Sequence, residues 1–305
     1  MLDRVLESRY NIIERFLKNR YKDLRVHHMQ YKIVADSSSD VRGLSHVPFA
    51  SAPLKITVGE TTYVDDNNLN VGALTQTLRT YKGRSITACP SPEDWTECFG
   101  DAERIFCVAI TSTLSGSCNA ARLAARDYEN AHPGRKVFVI DTLSAGPELA
   151  LIVEKLEEMI LEGREYEAIC KDIMAYLSKT KLAFMLQSVR NLANNGRVNP
   201  AVAALVGLLG IRIVGIASDH GDLQQMAKSR GDKRGMADML KIMKELGYKG
   251  GKVLIHHCEN LPAAEAFKQK LLEINPLAKI KIDTTGGLCS YYAEDGGMLV
   301  GFETV

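Results

Sequence analysis

Three apolar segments in the first half of the chain each end in a cluster of small hydroxyl residues. The clusters lie at 36–40 (Asp-Ser-Ser-Ser-Asp), 87–92 (Thr-Ala-Cys-Pro-Ser-Pro) and 111–117 (Thr-Ser-Thr-Leu-Ser-Gly-Ser). With a fourth polar strand end at 141–146, the strand–helix alternation along the chain predicts a parallel α/β sheet. Ligands bind such sheets beyond the carboxyl ends of the strands. Hydroxyls and helix N-termini there favour a polar or anionic group, so we expect one shared site.

The third cluster has more polar groups than a helix start requires. One hydroxyl suffices to cap a helix, whereas Ser112, Ser115 and Ser117 stand here together with Gly116. We therefore interpret this cluster as part of a binding site as well as a helix cap.

Composition limits the function classes. A chain of 305 residues is long enough for two domains. The net charge of +1 gives no electrostatic basis for binding nucleic acid or an anionic membrane. The N-terminal 26 residues have no apolar signal-peptide core, and no apolar segment approaches the roughly 18 residues of a membrane span. Seven scattered cysteines without a CxxC pair predict neither a zinc site nor a disulfide framework. We expect a cytoplasmic protein without a metal or cofactor.

The pattern along the chain predicts three regions. They are a helical N-terminal extension over 1–30, an N-terminal α/β domain over 31–165 and a C-terminal α/β domain over 166–305. We expect one strand over 49–58, a buried helix over 201–209 and, near the end of the chain, only glycine-pair turns around 286–287 and 296–297.

The residues give little support to the common reaction classes. Ser115 is a candidate nucleophile, but it is not in a Gly-x-Ser-x-Gly elbow. Of the candidate bases His46, His132, His220, His256 and His257, only the last two lie at a strand end. No Walker or Gly-x-Gly-x-x-Gly sequence occurs, so a nucleotide site is not indicated. The polar segments around Arg197, Arg230 and Arg234 fit either a solvated surface or a patch that binds an anion or a partner.

Seven segments, taken in order, resemble the sequences of the DegV family over about residues 31–302. The segments lie at 36–40, 53–56 with 63–65, 87–92, 112–117, 139–145, 192–197 and 228–231. Each segment alone is short, but their order and spacing are specific.

The resemblance implies a fold and a function. It implies two α/β domains, the first with a mostly parallel sheet and the second with a mixed sheet, and one long-chain fatty acid such as palmitate bound between them. It further implies that Thr87 and Ser115 bind the carboxylate, with Ser37, Gly116 and Tyr292 in the same site. A separate fatty acid kinase would then form the acyl-phosphate for phospholipid synthesis, docking at Arg197, Arg230 and Arg234. The alternatives that remain open are a serine-nucleophile hydrolase and a small sugar-binding module.

Three features depart from the family pattern. Ala88-Cys89 stands where the family has Ser-Gln, and Tyr292 stands where a histidine is usual. Residues 1–30 precede the usual start. A tyrosine is a neutral hydrogen-bond donor at pH 7, so its contact with a carboxylate would differ from that of a histidine.

Overall fold

The computed structural model describes residues 30–199 and 210–304. The helical extension expected over 1–30 (apart from Gln30) and the buried helix expected over 201–209 lie outside the described residues. The described residues contain no helix that is both long and apolar enough to cross a membrane.

A four-stranded parallel sheet forms the centre of the first half, in the order β2-β1-β6-β7. Its strands are β1 (Tyr31–Asp36), β2 (Phe49–Ala52), β6 (Arg104–Ala109) and β7 (Lys136–Asp141). The helices of this half are α1 (Val71–Thr80), α2 (Pro92–Phe99), α3 (Ser117–Ala131), α4 (Pro147–Leu161) and α5 (Tyr166–Leu177). The predicted parallel sheet is confirmed. Helix α2 begins with a capping box formed by Ser91 and Asp94, with Pro92 at its first position.

A second, antiparallel sheet of three strands lies beside the first, in the order β4-β3-β5. It consists of β3 (Lys55–Val58), β4 (Thr61–Val64) and β5 (Ser85–Ala88). The single strand predicted over 49–58 is therefore wrong, because β2 and β3 belong to different sheets. Pro53, which has no backbone N–H to donate to a ladder, lies at the break. The cluster at 87–92 accordingly begins within β5, a strand of the antiparallel sheet, and does not follow a strand of the parallel sheet.

The second half is built on a mixed sheet of six strands in the order β10-β9-β8-β13-β11-β12. Its strands are β8 (Thr180–Leu186), β9 (Ile211–Ala217), β10 (Leu223–Arg230), β11 (Val253–His257), β12 (Ile280–Thr284) and β13 (Met298–Glu303). Its helices are α6 (Arg190–Asn194), α7 (Gly231–Glu245), α8 (Leu261–Leu272) and α9 (Gly287–Ala293). Only β11 and β12 pair in parallel. The expected mixed sheet is confirmed.

Helix α9 joins the two halves. Its Leu288 and Tyr291 pack in the apolar core that includes β1, β6 and α4. Its Ala293 packs with Phe184 and Leu186 of the mixed sheet. A short helix from the end of the chain thus completes the core of the first half.

A buried carboxylate ties the strand ends of the parallel sheet together. Asp36 is fully buried and accepts hydrogen bonds from the Ser38 hydroxyl, from the Ser117 hydroxyl at 2.7 Å and from the Ile110 backbone N–H at 2.9 Å. Burial raises the pKa of the Asp36 carboxyl, and these donors act against that rise. The network fixes the loop between β6 and α3, which carries Ser115.

Candidate ligand-binding site

A cavity of about 330 Å³ lies between the two halves. Its wall is mostly apolar and includes a few polar side chains. The lining residues from the first half are Leu54, Thr87, Ala88, Cys89, Ile110, Leu114, Ser115, Gly116 and Ala145. Those from the second half are Leu182, Phe184, Leu186, Leu192, Arg197, Leu223, Leu288, Cys289, Tyr292, Ala293 and Leu299.

Thr87 and Tyr292 form a hydroxyl pair in the cavity wall. The Thr87 Oγ1 and Tyr292 Oη atoms are 2.7 Å apart, and either can donate. Two hydroxyls have two protons, and the bond between them uses one, so the pair has one O–H left to donate to a ligand. Burial raises the pKa of Tyr292 from its ordinary value near 10, so this phenol is neutral at pH 7. The family resemblance implies that both residues lie in one site, and in the structure their hydroxyl groups are hydrogen-bonded to each other.

Ser115 and Gly116 lie at the start of α3. The Ser115 hydroxyl accepts the Ser117 backbone N–H at 3.3 Å, which leaves its own proton to point elsewhere. A helix N-terminus favours negative charge nearby. A Cβ atom at position 116 would lie 3.1 Å from the Cys89 sulfur. The absence of a side chain at Gly116 therefore allows the two loops to approach each other.

Arg197 does not lie on an exposed surface with Arg230 and Arg234. It is half-buried in the cavity wall, and its Nε donates to the Leu114 carbonyl at 3.2 Å, across the junction between the halves. Arg230 ends β10 and is exposed, and Arg234 in α7 is exposed and pairs with Asp238 at 3.0 Å. The expectation of three exposed arginines is therefore corrected for Arg197, whose turn packs against the loop before α3.

Ser37 is not among the described residues that line the cavity. Its buried hydroxyl accepts the backbone N–H of Leu54, which does line it, at 3.0 Å. This bond holds the start of β3 against the end of β1.

The apolar part of the wall follows from the alternation of β8. Leu182, Phe184 and Leu186 line the cavity, whereas Ala183 and Met185 pack on the opposite face of the sheet. Successive side chains of a strand point to opposite faces, so three residues of one strand present a continuous apolar surface.

Two carboxylates from the first half hold the N-terminus of α9. Asp65 is buried and accepts the backbone N–H groups of Gly287 and Leu288, each at 2.9 Å. Asp40 accepts the Gly286 N–H at 2.7 Å and is joined to His256 Nδ1 by a hydrogen bond of 2.8 Å. These contacts place the helix that carries Tyr292. Only glycine-pair turns are expected here from the sequence, and α9 is missed because it begins at Gly286-Gly287 and spans only two turns.

The comparison with protein families assigns the chain. The family model described as "Uncharacterised protein, DegV family" matches residues 30–304. The chain belongs to the DegV family. Among its relatives, a DegV domain-containing protein of Streptococcus pneumoniae is 42% identical over 279 residues, which cover 90% of this chain and 99% of the relative.

Two solved DegV structures resemble this one closely. The fatty acid kinase (Fak) B3 protein of Streptococcus pneumoniae, loaded with linoleic acid, is 42% identical with a TM-score of 0.88, over 90% of this chain and 99% of that one. A DegV family protein from Eubacterium eligens, loaded with heptadecanoic acid, is 40% identical with a TM-score of 0.88, over 90% of this chain and 100% of that one. Both neighbours hold a fatty acid.

Proposed function

We propose that this DegV protein binds one long-chain fatty acid in the cavity between its halves. The observation that carries the proposal is an apolar cavity with hydroxyl donors from Thr87, Tyr292 and Ser115 and the guanidinium of Arg197 in its wall. Such a wall suits a long apolar tail with an anionic head. Each buried methylene contributes roughly 0.8 kcal/mol, so the tail supplies most of the affinity and the hydroxyls set the orientation.

We propose further that the protein presents this carboxylate to a separate fatty acid kinase and does not itself catalyse the phosphorylation. The likeness to the Fak B3 protein supports this role. The proposal requires no cofactor besides the bound fatty acid. All seven cysteines are free thiols, which fits a reducing compartment, and we therefore place the activity in the cytoplasm.

The geometry gives less support to the two alternatives. A serine nucleophile needs a base within hydrogen-bond reach, and no histidine is among the described residues that line the cavity. His256 is joined to Asp40, and His257 Nδ1 accepts the Asn260 N–H at 3.2 Å. A sugar would need polar partners along its whole length, whereas most of this wall is aliphatic.

Native mass spectrometry of the protein purified from cells tests the ligand. We expect a bound species with the mass of an acid in the range from palmitic to oleic acid, because the interior of the cavity is apolar. Labelling with a fluorophosphonate probe serves as the control for a reactive serine. A protein that carries no fatty acid, even after loading with one, and that is labelled at Ser115 would contradict the proposal in favour of the hydrolase.

Changing Arg230 or Arg234 to Ala tests the presentation to the kinase. We expect fatty-acid binding to be unchanged, because both side chains are exposed, and acyl-phosphate formation with the cognate kinase to fall. Arg126→Ala is the matched control, since its side chain is 66% exposed against 70% for Arg234 and it lies on α3. Equal losses of acyl-phosphate in all three variants would show that only the net charge matters, and a loss of lipid binding would place these arginines in the ligand site.

A further inference from the structure

We propose that Phe184 determines the length of fatty-acid tail that the cavity accepts, because its ring lies over Gly215 in the cavity wall. This inference rests on the proposed function and concerns the specificity of the same site. It predicts that the size of residue 184 alone shifts the preferred chain length.

The placement of the ring follows from the pairing of the strands. Phe184 of β8 pairs with Gly215 of β9 on one side and with Leu299 of β13 on the other. Directly paired residues of neighbouring strands point to the same face. All three positions therefore face the first half, and Phe184 and Leu299 line the cavity.

Gly215 provides the space that the ring occupies. A Cβ atom at 215 would lie 2.4 Å from Cζ and 2.7 Å from Cε2 of Phe184. These distances are shorter than any carbon–carbon contact allows, so the ring rests on the bare backbone of β9. Phe184 is 3% exposed. The part of the ring that does not contact β9 forms part of the cavity wall.

Phe184 is therefore a side chain whose size limits the room for a tail. It is the largest wholly apolar side chain in the described lining, where the other apolar side chains are leucines, Ile110 and alanines. The cores on either side are closely packed, and a packed core resists deformation. A smaller residue at position 184 would then provide space for additional methylenes.

Binding of a series of saturated acids, from tetradecanoic to icosanoic, to the full chain tests the proposal. For Phe184→Ala we expect the optimum to move to longer acids, with about fourfold tighter binding for each additional methylene that is accommodated. For Phe184→Trp we expect a move to shorter acids. Phe184→Leu should give a smaller shift in the direction of Ala, and it provides the test if the Ala variant does not fold.

Met185→Ala is the matched control. Met185 is the next residue of β8 and is fully buried, but it packs on the opposite face against α7. We expect it to lower stability without moving the optimum. A uniform loss across all acids in the Phe184 variants, or an equal shift in Met185→Ala, would overturn the inference while leaving the proposed function intact. A parent protein that binds none of the acids would overturn both.

Discussion

Replacing Thr87 by Val together with Ser115 by Ala is expected to weaken fatty-acid binding by at least a factor of about one hundred. Each hydroxyl is proposed to donate to a carboxylate, and such a bond contributes about 1.5–3 kcal/mol, so the two together contribute about 3–6 kcal/mol. Isothermal titration calorimetry with palmitate measures the loss. A fatty alcohol of the same length is the control ligand, because its head group is uncharged and should lose less. Equal losses for the acid and the alcohol would show that the residues shape the cavity without recognising the head group.

Tyr292→Phe should have a smaller effect than the double substitution at Thr87 and Ser115. Without the phenol, the Thr87 hydroxyl still has a proton that it can donate directly to the carboxylate. We therefore expect a loss of about 0.5–1.5 kcal/mol, with little pH dependence near neutrality because the phenol is neutral there. Binding as tight as that of the parent would remove Tyr292 from the head-group site and leave Thr87 and Ser115.

Replacing Asp65 by Ala is expected to lower the free energy of unfolding by about 2–6 kcal/mol. The substitution leaves the buried N–H groups of Gly287 and Leu288 without their acceptor, and each unsatisfied donor costs about 1–3 kcal/mol. It also removes the partner of Arg42 at 3.1 Å. Chemical denaturation followed by circular dichroism measures the change.

The adjacent Asp66 provides the control for this substitution. Its carboxylate accepts only within its own turn, from the Asn68 backbone N–H at 2.8 Å and the Asn68 amide. Asp66→Ala should therefore cost much less than Asp65→Ala. If the two variants lose equal stability, the hydrogen bonds from α9 to Asp65 are not what stabilises the contact between the two halves.

The parts of the site that the sequence predicted are those in which local chemistry determines the structure. A polar cluster directly after an apolar strand locates a strand end, and Asp36 and Ser117 then join two such ends through a hydrogen bond. Ser115, in the loop that Ser117 anchors, could thus be assigned to this edge of the sheet, whereas Thr87 reaches the same cavity from the antiparallel sheet. The capping box at Ser91 was likewise predictable from four consecutive residues.

The parts that could not be predicted depend on residues far apart in the chain. Helix α9 has glycines at its start and little intrinsic helical preference there, and it is stabilised by Asp40 and Asp65, more than 200 residues earlier. The half-buried position of Arg197 depends on the Leu114 carbonyl of the other half. No local pattern contains these pairings.

The packing of α9 has a consequence for cooperativity. Because Leu288 and Tyr291 complete the core of the first half, while α9 lies in the chain between two strands of the mixed sheet, the first half does not contain all the residues of its own interior. The molecule should therefore unfold in a single transition, and fragments cut at the middle of the chain should not fold independently. A rigid hinge that swings the halves apart would first have to extract this helix, so we expect the proposed ligand to enter and leave through a local opening of the wall and not by separation of the halves.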